Sequence, residues 1–386
     1  MMRPDYAGGS IVNLMASLGQ ALGADAGGYA PLPSLPPAAL EGARNLVLLV
    51  LDGMGSAFLE RAGGGSVLAA HRRGVMTSVF PPTTATAITA FMTGVAPQQH
   101  GLTGWFTWLK ETASVVAVLP FQARHGGGSL RASGLDPARV FTARPFVDMI
   151  PVKCFGVCPR EIAHSDFNSH HAGGAEIHPY DGLGGLFSGI ETIVRSGSGG
   201  KYVYAYYPGV DSLAHVFGIG SPQVASLFSR LDDAFGAFLK DIAGTDTAVV
   251  VTADHGFVDV PPGQTVQLES HPRLAETLVL PLCGEPRVAY CYVHPDRRGA
   301  FESYVGNELA QCATLIPSAE LLAGNWFGLG PPHPRLAERI GHYALVMHDG
   351  WAVKDWVLGE RRHHHIGCHG GVSADEMLVP LIIARA

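Results

Sequence analysis

The stretch NLVLLVLDGMG, residues Asn45–Gly55, decides the fold class of this 386-residue chain. Its apolar run is unbroken until Asp52 and Gly53 end it. A run that is apolar at every position, without alternation, is typical of a parallel strand buried on both faces. The same pattern recurs in KYVYAYYPGVD (Lys201–Asp211) and in DTAVVVTADHGF (Asp246–Phe257). The sequence therefore predicts at least three central strands of one sheet.

Helical patterns alternate with these strands. SPQVASLFSRLDDAFGAFLKDI has apolar residues at helical spacing, with Ser221 as its N-cap and Pro222 at the first helical position. IVNLMASLGQAL near the N-terminus weakly imitates a signal peptide, but the polar Asn13 and Gln20 favour an amphipathic helix. Strands that alternate with helices predict an α/β fold with a central, mostly parallel sheet flanked by helices.

The region after the third strand has a different composition, with short apolar stretches and the Pro-rich segment GLGPPHPRL. We interpret it as a smaller α+β insertion. The predicted organisation is a core over residues 1–257, an insertion over 258–340, and a return to the core over 341–386.

Composition excludes several classes of protein. The chain is 47% hydrophobic and 15% charged, which is typical of a globular protein. A formal net charge of −7 without a Lys/Arg cluster argues against nucleic-acid binding. No apolar stretch approaches the roughly 20 residues of a membrane span. The six cysteines form no CxxC motif, so we expect reduced thiols and a cytoplasmic location.

Each of the three strands is followed by acidic or imidazole side chains: Asp52, then Asp211 with His215, then Asp254 with His255. Each motif alone has a structural interpretation, since DG is most often a turn and DSLAH is compatible with a helix start. In open α/β sheets, however, ligands bind outside the carboxyl ends of the strands. Buried carboxylates beside histidines need a compensating charge. The set therefore predicts a site at this edge of the sheet.

A further histidine lies in the segment HHHIGCHGG near the C-terminus. We interpret His363–His365 as a solvated run and Cys368 as a packing residue. His369 differs because two glycines follow it, in a turn that lets the backbone approach another group closely.

Three carboxylates and three imidazoles are a donor set that suits Zn²⁺, with Mn²⁺ or Fe as alternatives. Six ligands exceed the needs of one catalytic zinc and predict two divalent ions. FPPTTATAITAFMTG, which starts at Phe80, places several threonine hydroxyls at a predicted helix N-terminus. A divalent metal can activate such a hydroxyl as a nucleophile near neutral pH.

These residues resemble the alkaline phosphatase superfamily, and most closely its nucleotide pyrophosphatase/phosphodiesterase-like branch. LVLDGMG, FPPTTATAITAFMTGVAPQQHG, GVDSLAHVFG, TADHGF and HGGVSADEMLVP occur in the order of that family. The resemblance implies an alkaline-phosphatase-like core and a two-zinc centre. It also implies a threonine or serine nucleophile that forms a covalent phosphoryl or nucleotidyl intermediate.

The resemblance also implies individual roles. It assigns Asp211, His215 and His369 to one metal, and Asp52, Asp254 and His255 to the other together with the nucleophile Thr84. Counting back from Thr93–Gly94 selects Thr84 over Thr83. The branch usually has an asparagine three positions after the nucleophile, where this chain has Ala87. We therefore expect Asn168 to be a substitute contact to the substrate, and Lys110 to be a second one.

The predicted function is two-metal-dependent hydrolysis of phosphodiesters or nucleotide pyrophosphates, acting on a small-molecule phosphate ester. The alternatives are a phosphonoacetate-type C–P hydrolase, a phosphomonoesterase and a catalytically inactive binding protein. The stretch between Phe80 and Trp108 contains no Lys or Arg, which favours a singly charged diester over a dianionic monoester. Lys110, Arg160 and Lys201 are the cations that could alter this preference.

Overall fold

The computed structural model describes residues 1–24 and 28–386. The strands are β1 (Asn45–Leu51), β2 (Arg72–Thr77), β3 (Phe106–Leu109), β4 (Ser114–Ala117), β5 (Gln122–Ala123), β6 (Lys153–Pro159), β7 (Glu176–Tyr180), β8 (Lys201–Tyr207), β9 (Thr247–Thr252), β10 (Val258–Asp259), β11 (Thr265–Gln267), β12 (Cys283–Gly284), β13 (Val288–Cys291), β14 (Ala313–Pro317), β15 (Tyr343–Met347), β16 (Ala352–Lys354), β17 (Gly367–Cys368) and β18 (Leu378–Arg385).

The α-helices are α1 (Ile11–Ala21), α2 (Ser56–Ala62), α3 (Val67–Ala70), α4 (Thr84–Thr93), α5 (Pro97–His100), α6 (Asp166–His171), α7 (Gly182–Arg195), α8 (Gly209–Phe217), α9 (Pro222–Asp241), α10 (Pro272–Ala275), α11 (Arg298–Tyr304), α12 (Ser318–Ala323), α13 (Leu336–Arg339) and α14 (Ala374–Met377). Short 3-10 turns and one π turn, Val305–Leu309, complete the secondary structure of the described residues.

The larger sheet has seven strands in the order β2-β18-β9-β1-β8-β6-β7. Its strands are parallel except β18, which is antiparallel to both β9 and β2. The three apolar runs of the sequence are β9, β1 and β8, adjacent at the centre of the sheet and buried at every position. The predicted α/β class with a mostly parallel sheet flanked by helices is confirmed.

The helices begin where their sequences indicate. The 20-residue α9 starts at Pro222, and the Ser221 hydroxyl accepts a hydrogen bond from the Val224 N–H. The apolar positions of α1 are buried in the main hydrophobic core, so this segment is a packed helix. Within the described residues, no helix combines the length and the apolar character that a membrane crossing requires.

A second seven-stranded sheet has the order β14-β15-β13-β12-β3-β4-β5 and is antiparallel throughout. It takes strands from residues 106–123 as well as from residues 283–347. The pairs β10–β17 and β11–β16 form two small sheets. The division of the chain at residues 257 and 340 stays a prediction.

Candidate metal centre and active site

The carboxyl ends of the three central strands place the predicted side chains together. Asp52 directly follows β1, and Asp211 lies in the first turn of α8, just after β8. The turn after Asp52 is tight, since Gly53 has a φ of 75° and a Cβ there would lie 2.5 Å from the Phe257 ring. Only glycine combines this conformation with such close packing. The tight turn lets the loops after β1 and β9 approach each other.

One cluster consists of Asp52, Asp254 and His255, all of them buried. The Nε2 atom of His255 lies 3.3 Å from Asp52 Oδ1 and 3.4 Å from Asp254 Oδ2. The backbone N–H groups of Gly53 and His255 donate to the other oxygen of Asp254, each at 3.0 Å. The Tyr206 hydroxyl donates to Asp52 Oδ2. Each carboxylate therefore has one oxygen held by the protein and one directed at His255.

A second group of possible metal-ligand atoms, all within 4.8 Å of one another, comprises Asp211, His255 and His369. His215 contacts this group through Asp211. The Nε2 atoms of His215 and His369 lie 3.3 Å and 3.7 Å from Asp211 Oδ1. His255 is close enough to Asp211 and His369 to belong to both clusters. The two clusters are therefore contiguous.

Hydrogen bonds to backbone carbonyls orient two of the imidazoles. His215 Nδ1–H donates to Gly367 O at 2.9 Å, and His255 Nδ1–H donates to Gly256 O at 3.1 Å. Since a carbonyl only accepts, the proton lies on Nδ1, which leaves the Nε2 lone pair free. This is the arrangement by which proteins usually fix a metal-binding histidine.

The unpaired polar atoms of these clusters fit a metal ion. Asp52 Oδ1, Asp211 Oδ1 and Asp254 Oδ2 are buried and have no hydrogen-bond partner among the described residues. Burial, with Asp254 and Asp211 nearby, raises the pKa of Asp52 well above its usual range. Burial also lowers the pKa of His369 well below its usual range, which favours the neutral imidazole that binds metals. A cation at this position would compensate the buried negative charge.

Thr84 and Thr83 have different environments. Thr84 is the first residue of α4, and its Oγ1 atom lies 3.2 Å from His255 Nε2. Thr83 is the N-cap residue, but its hydroxyl donates to Glu285 at 2.7 Å and caps no helical N–H. Only the Thr84 hydroxyl therefore contacts the predicted metal ligands. Ala87 is fully buried within α4 and offers no polar side chain.

The two predicted substrate contacts lie elsewhere in the fold. Asn168 is in α6, where its Nδ2 donates to Ala163 O at 2.8 Å. Lys110 is exposed, with its Nζ 3.5 Å from Glu338. Neither residue lines the cavity that contains Thr84. Their positions do not support the substrate contacts expected from the sequence.

The other two cations considered are also distant from the site. Arg160 is exposed and pairs with Asp181 at 2.7 Å. Lys201 begins β8 and donates to Asn45 Oδ1 at 3.4 Å, at the amino edge of the sheet. That edge is opposite to the one that carries Asp52.

A cavity of about 400 Å³ opens over the clusters. Thr84, Asp211, His215 and His369 line one side of it, and the other lining residues include Trp105, Arg124, Glu285, Lys354 and His365. Sequence reasoning missed this second group because its members lie in separate short strands and loops. His365 was expected to be solvated, yet its ring centroid lies 4.2 Å from that of His215. Burial raises the pKa of Glu285 to about 7.

The fold and the paired Asp/His clusters beside a threonine define a member of the alkaline phosphatase superfamily. The sequence model of the family described as "Type I phosphodiesterase / nucleotide pyrophosphatase" matches residues 46–121 and 191–371, and the chain belongs to this family. The matched ranges include every predicted metal ligand and Thr84. No curated protein matches the chain at a significant level.

Solved structures share the fold at low sequence identity. Human ectonucleotide pyrophosphatase/phosphodiesterase 5 is 15% identical with a TM-score of 0.67, over 88% of this chain and 87% of its own. The murine protein is 16% identical with a TM-score of 0.65, over 87% of each chain. Phosphonoacetate hydrolase from Sinorhizobium meliloti 1021 is 16% identical with a TM-score of 0.63, over 87% of this chain and 89% of its own. The family supports a phosphoester hydrolase, and the neighbours show that the fold is shared.

Proposed function

We propose that the chain is a two-metal-dependent hydrolase that cleaves phosphodiesters or nucleotide pyrophosphates through a covalent intermediate on Thr84. The observation that carries the proposal is the position of the Thr84 hydroxyl, 3.2 Å from the Nε2 atom of His255, which both clusters share. A nucleophile at this position faces both carboxylate–imidazole groups at once.

The proposed ligands are Asp211, His215 and His369 for one ion, and Asp52, Asp254, His255 and Thr84 for the other. Carboxylate and imidazole donors together favour Zn²⁺, with Mn²⁺ or Fe as alternatives. When bound, two divalent cations would lower the pKa of the threonine hydroxyl and stabilise negative charge on the phosphoryl oxygens.

In the proposed reaction, Thr84 Oγ bonds to phosphorus and its proton passes to solvent. The bond from phosphorus to the leaving oxygen breaks, and that oxygen keeps the electron pair and takes up a proton. Water then attacks phosphorus, the bond from phosphorus to Thr84 Oγ breaks, and Oγ regains a proton from the attacking water. Ala87 offers no polar side chain that could hold a phosphoryl oxygen. The first backbone N–H groups of α4 have no partner within the helix, so the N–H groups of Thr84 and Ala85 are suited to this contact.

Two structural neighbours support this proposal. An inactive threonine-to-alanine variant of the murine protein is in complex with AMP, which agrees with a threonine nucleophile and a nucleotide ligand. The Sinorhizobium hydrolase is in complex with phosphonoacetate. A phosphonoacetate-type C–P hydrolase is thus a second candidate function, favoured by the Lys354 ammonium in the cavity. For the location we retain the cytoplasm, which six free cysteines support.

The test compares bis(4-nitrophenyl) phosphate with 4-nitrophenyl phosphate on one zinc-loaded preparation of measured metal content. We expect the larger kcat/KM for the diester, because two divalent ions, three carboxylates and a threonine alkoxide are together near neutral. A dianionic monoester needs further cationic groups. A monoester advantage of about tenfold or more would overturn the diesterase assignment.

A further inference from the structure

Lys354 is a cavity cation that forms no ion pair with a carboxylate of the described residues, although Glu360 and Glu285 act on it at longer range. It is the last residue of β16, it is partly buried, and it lines the same cavity as Thr84. Its Nζ lies 3.2 Å from His363 Nε2 and 5.0 Å from the centroid of the Trp356 ring. Among the described residues, no Asp or Glu oxygen lies within 4.0 Å of it. Burial lowers its pKa.

Arg124 lines the same cavity but differs in its contacts. Its Nη2 donates to Asp355 at 2.7 Å and to Glu360 at 3.0 Å, and its Nη1 donates to Leu282 O at 2.8 Å. Two carboxylates therefore compensate the guanidinium and hold it in place. In the lining of this cavity, the positive charge available to a ligand belongs to Lys354.

Imidazoles connect Lys354 to the metal-ligand clusters. The ring centroids of His363 and His365 lie 4.4 Å apart, and those of His365 and His215 lie 4.2 Å apart. A ligand that extends from Thr84 towards Lys354 along this side therefore passes the rings of His215, His365 and His363 before it meets the ammonium.

We propose that Lys354 binds a second anionic group of the substrate, a carboxylate or a further phosphate, while the phosphorus under attack lies at Thr84. This inference rests on the proposed function. An ammonium that is partly removed from water regains the lost interaction through a charge-assisted hydrogen bond to an anion. The substrate class is then phosphoesters or phosphonates that carry a second negative group beside the reacting phosphorus.

The experiment uses three 4-nitrophenyl phosphodiesters whose other ester group is methyl, carboxymethyl or 2-phosphoethyl, on zinc-loaded protein. All three release the same phenolate, so kcat/KM isolates the effect of the second anion, and the last two distinguish a carboxylate from a phosphate. We expect at least one anion-bearing ester to exceed the methyl ester by about tenfold, the usual scale of one charge-assisted contact.

Variants of Lys354 test whether this residue causes the preference for the anion-bearing esters. Lys354→Met should abolish it, and Lys354→Arg should retain most of it because the charge remains. Lys240→Met is the control, since Lys240 is exposed on α9 and its loss changes the net charge equally. As a second readout, calorimetry should show phosphonoacetate binding to zinc-loaded Thr84→Ala protein at least tenfold more weakly once Lys354→Met is added.

The two proposals fail in different ways. Absence of nitrophenolate release from all three esters in the metal-loaded wild type would overturn the proposed function. Cleavage of all three with a preference that Lys354→Met leaves unchanged, or no preference in the wild type, would overturn the role of Lys354 alone.

Discussion

The two sides of the cavity are built in different ways. On the side of the larger sheet, adjacent buried strands are each followed by a carboxylate, so Asp52, Asp211 and Asp254 meet at one edge of the sheet. On the opposite side, Glu285 and Lys354 come from short strands and loops far apart in the chain. The first side carries the proposed metal ligands, and the second carries the charge to which we assign ligand selection. Candidate site residues can thus be predicted from sequence where a regular strand positions them.

The largest expected effect concerns the nucleophile on the first side. Thr84→Ala should lower kcat by a factor on the order of 10⁴ or more, because the covalent route is removed. Zinc content, measured by elemental analysis, should remain at or above half of the wild-type value, since six other ligands remain. Activity is followed as 4-nitrophenolate release from bis(4-nitrophenyl) phosphate.

Thr83→Ala is the matched control for Thr84→Ala. The Thr83 hydroxyl contacts Glu285 and not the clusters, so its loss should lower kcat by about tenfold at most. If the two alanine variants exchanged these outcomes, the nucleophile would be Thr83.

The next effect tests the metal clusters through stability. In chelator, Asp52→Asn should stabilise the protein by about 1 kcal/mol, because burial and two neighbouring carboxylates make a charge at Asp52 unfavourable. In excess zinc the same variant should be less stable than the wild type, whose gain from bound metal is about 4 kcal/mol at a thousandfold excess over Kd. Urea unfolding in EDTA and in excess zinc measures the sign of the stability change under each condition.

Elemental analysis completes that test. We expect close to two equivalents of zinc per wild-type chain. One equivalent with full activity, or a variant destabilised equally in EDTA and in zinc, would contradict a two-metal centre that includes Asp52.

Much of the fold was predictable because buried parallel strands have an unbroken apolar pattern. The runs that became β1, β8 and β9 and the capped start of α9 are local signals, and the structure contains each of them. The second sheet was less predictable. It pairs β3 with β12, which are about 180 residues apart in the chain, and β12 spans only Cys283–Gly284, too short for a periodic pattern.

In the candidate site, too, local sequence patterns did not reveal the residues that only tertiary pairing brings together. Asp/His motifs at strand ends led to the residues that the structure brings together around His255. Asn168 and Lys110 were chosen by residue type alone, and the structure places them in other contacts. Lys354 and Glu285 lie in no recognisable motif, and only tertiary pairing brings them to the cavity.

A smaller effect concerns Glu285 on the second side. Burial raises its pKa to about 7, above the value of about 4.3 for a free Glu side chain. The unfolded chain therefore loses this proton first, and stability falls as pH rises from about 4.5 to about 7. Glu285→Gln should reduce that loss by about 2–3 kcal/mol, measured as unfolding free energy at pH 5 and pH 8 in EDTA.

Glu308→Gln, at an exposed position, is the control for Glu285→Gln. An unchanged pH dependence in Glu285→Gln would show that Glu285 does not titrate in this range.

The smallest effect is expected for substitution of Lys110. This substitution tests whether Lys110 lies outside the cavity that contains Thr84. The Lys110 side chain is 63% exposed, and its ion pair with Glu338 at 3.5 Å is open to solvent. Exposed pairs contribute about 0–1 kcal/mol, and a cation outside the cavity has no contact with a bound ester. Lys110→Ala should therefore change kcat/KM for bis(4-nitrophenyl) phosphate by less than about twofold and the unfolding free energy by less than about 1 kcal/mol. Lys354→Ala, measured with the carboxymethyl and 2-phosphoethyl esters, is the comparison, because it removes the same charge from within the cavity. A tenfold increase in KM for Lys110→Ala alone would mean that the loop after β3 closes over the substrate. The second side of the cavity would then extend to that loop.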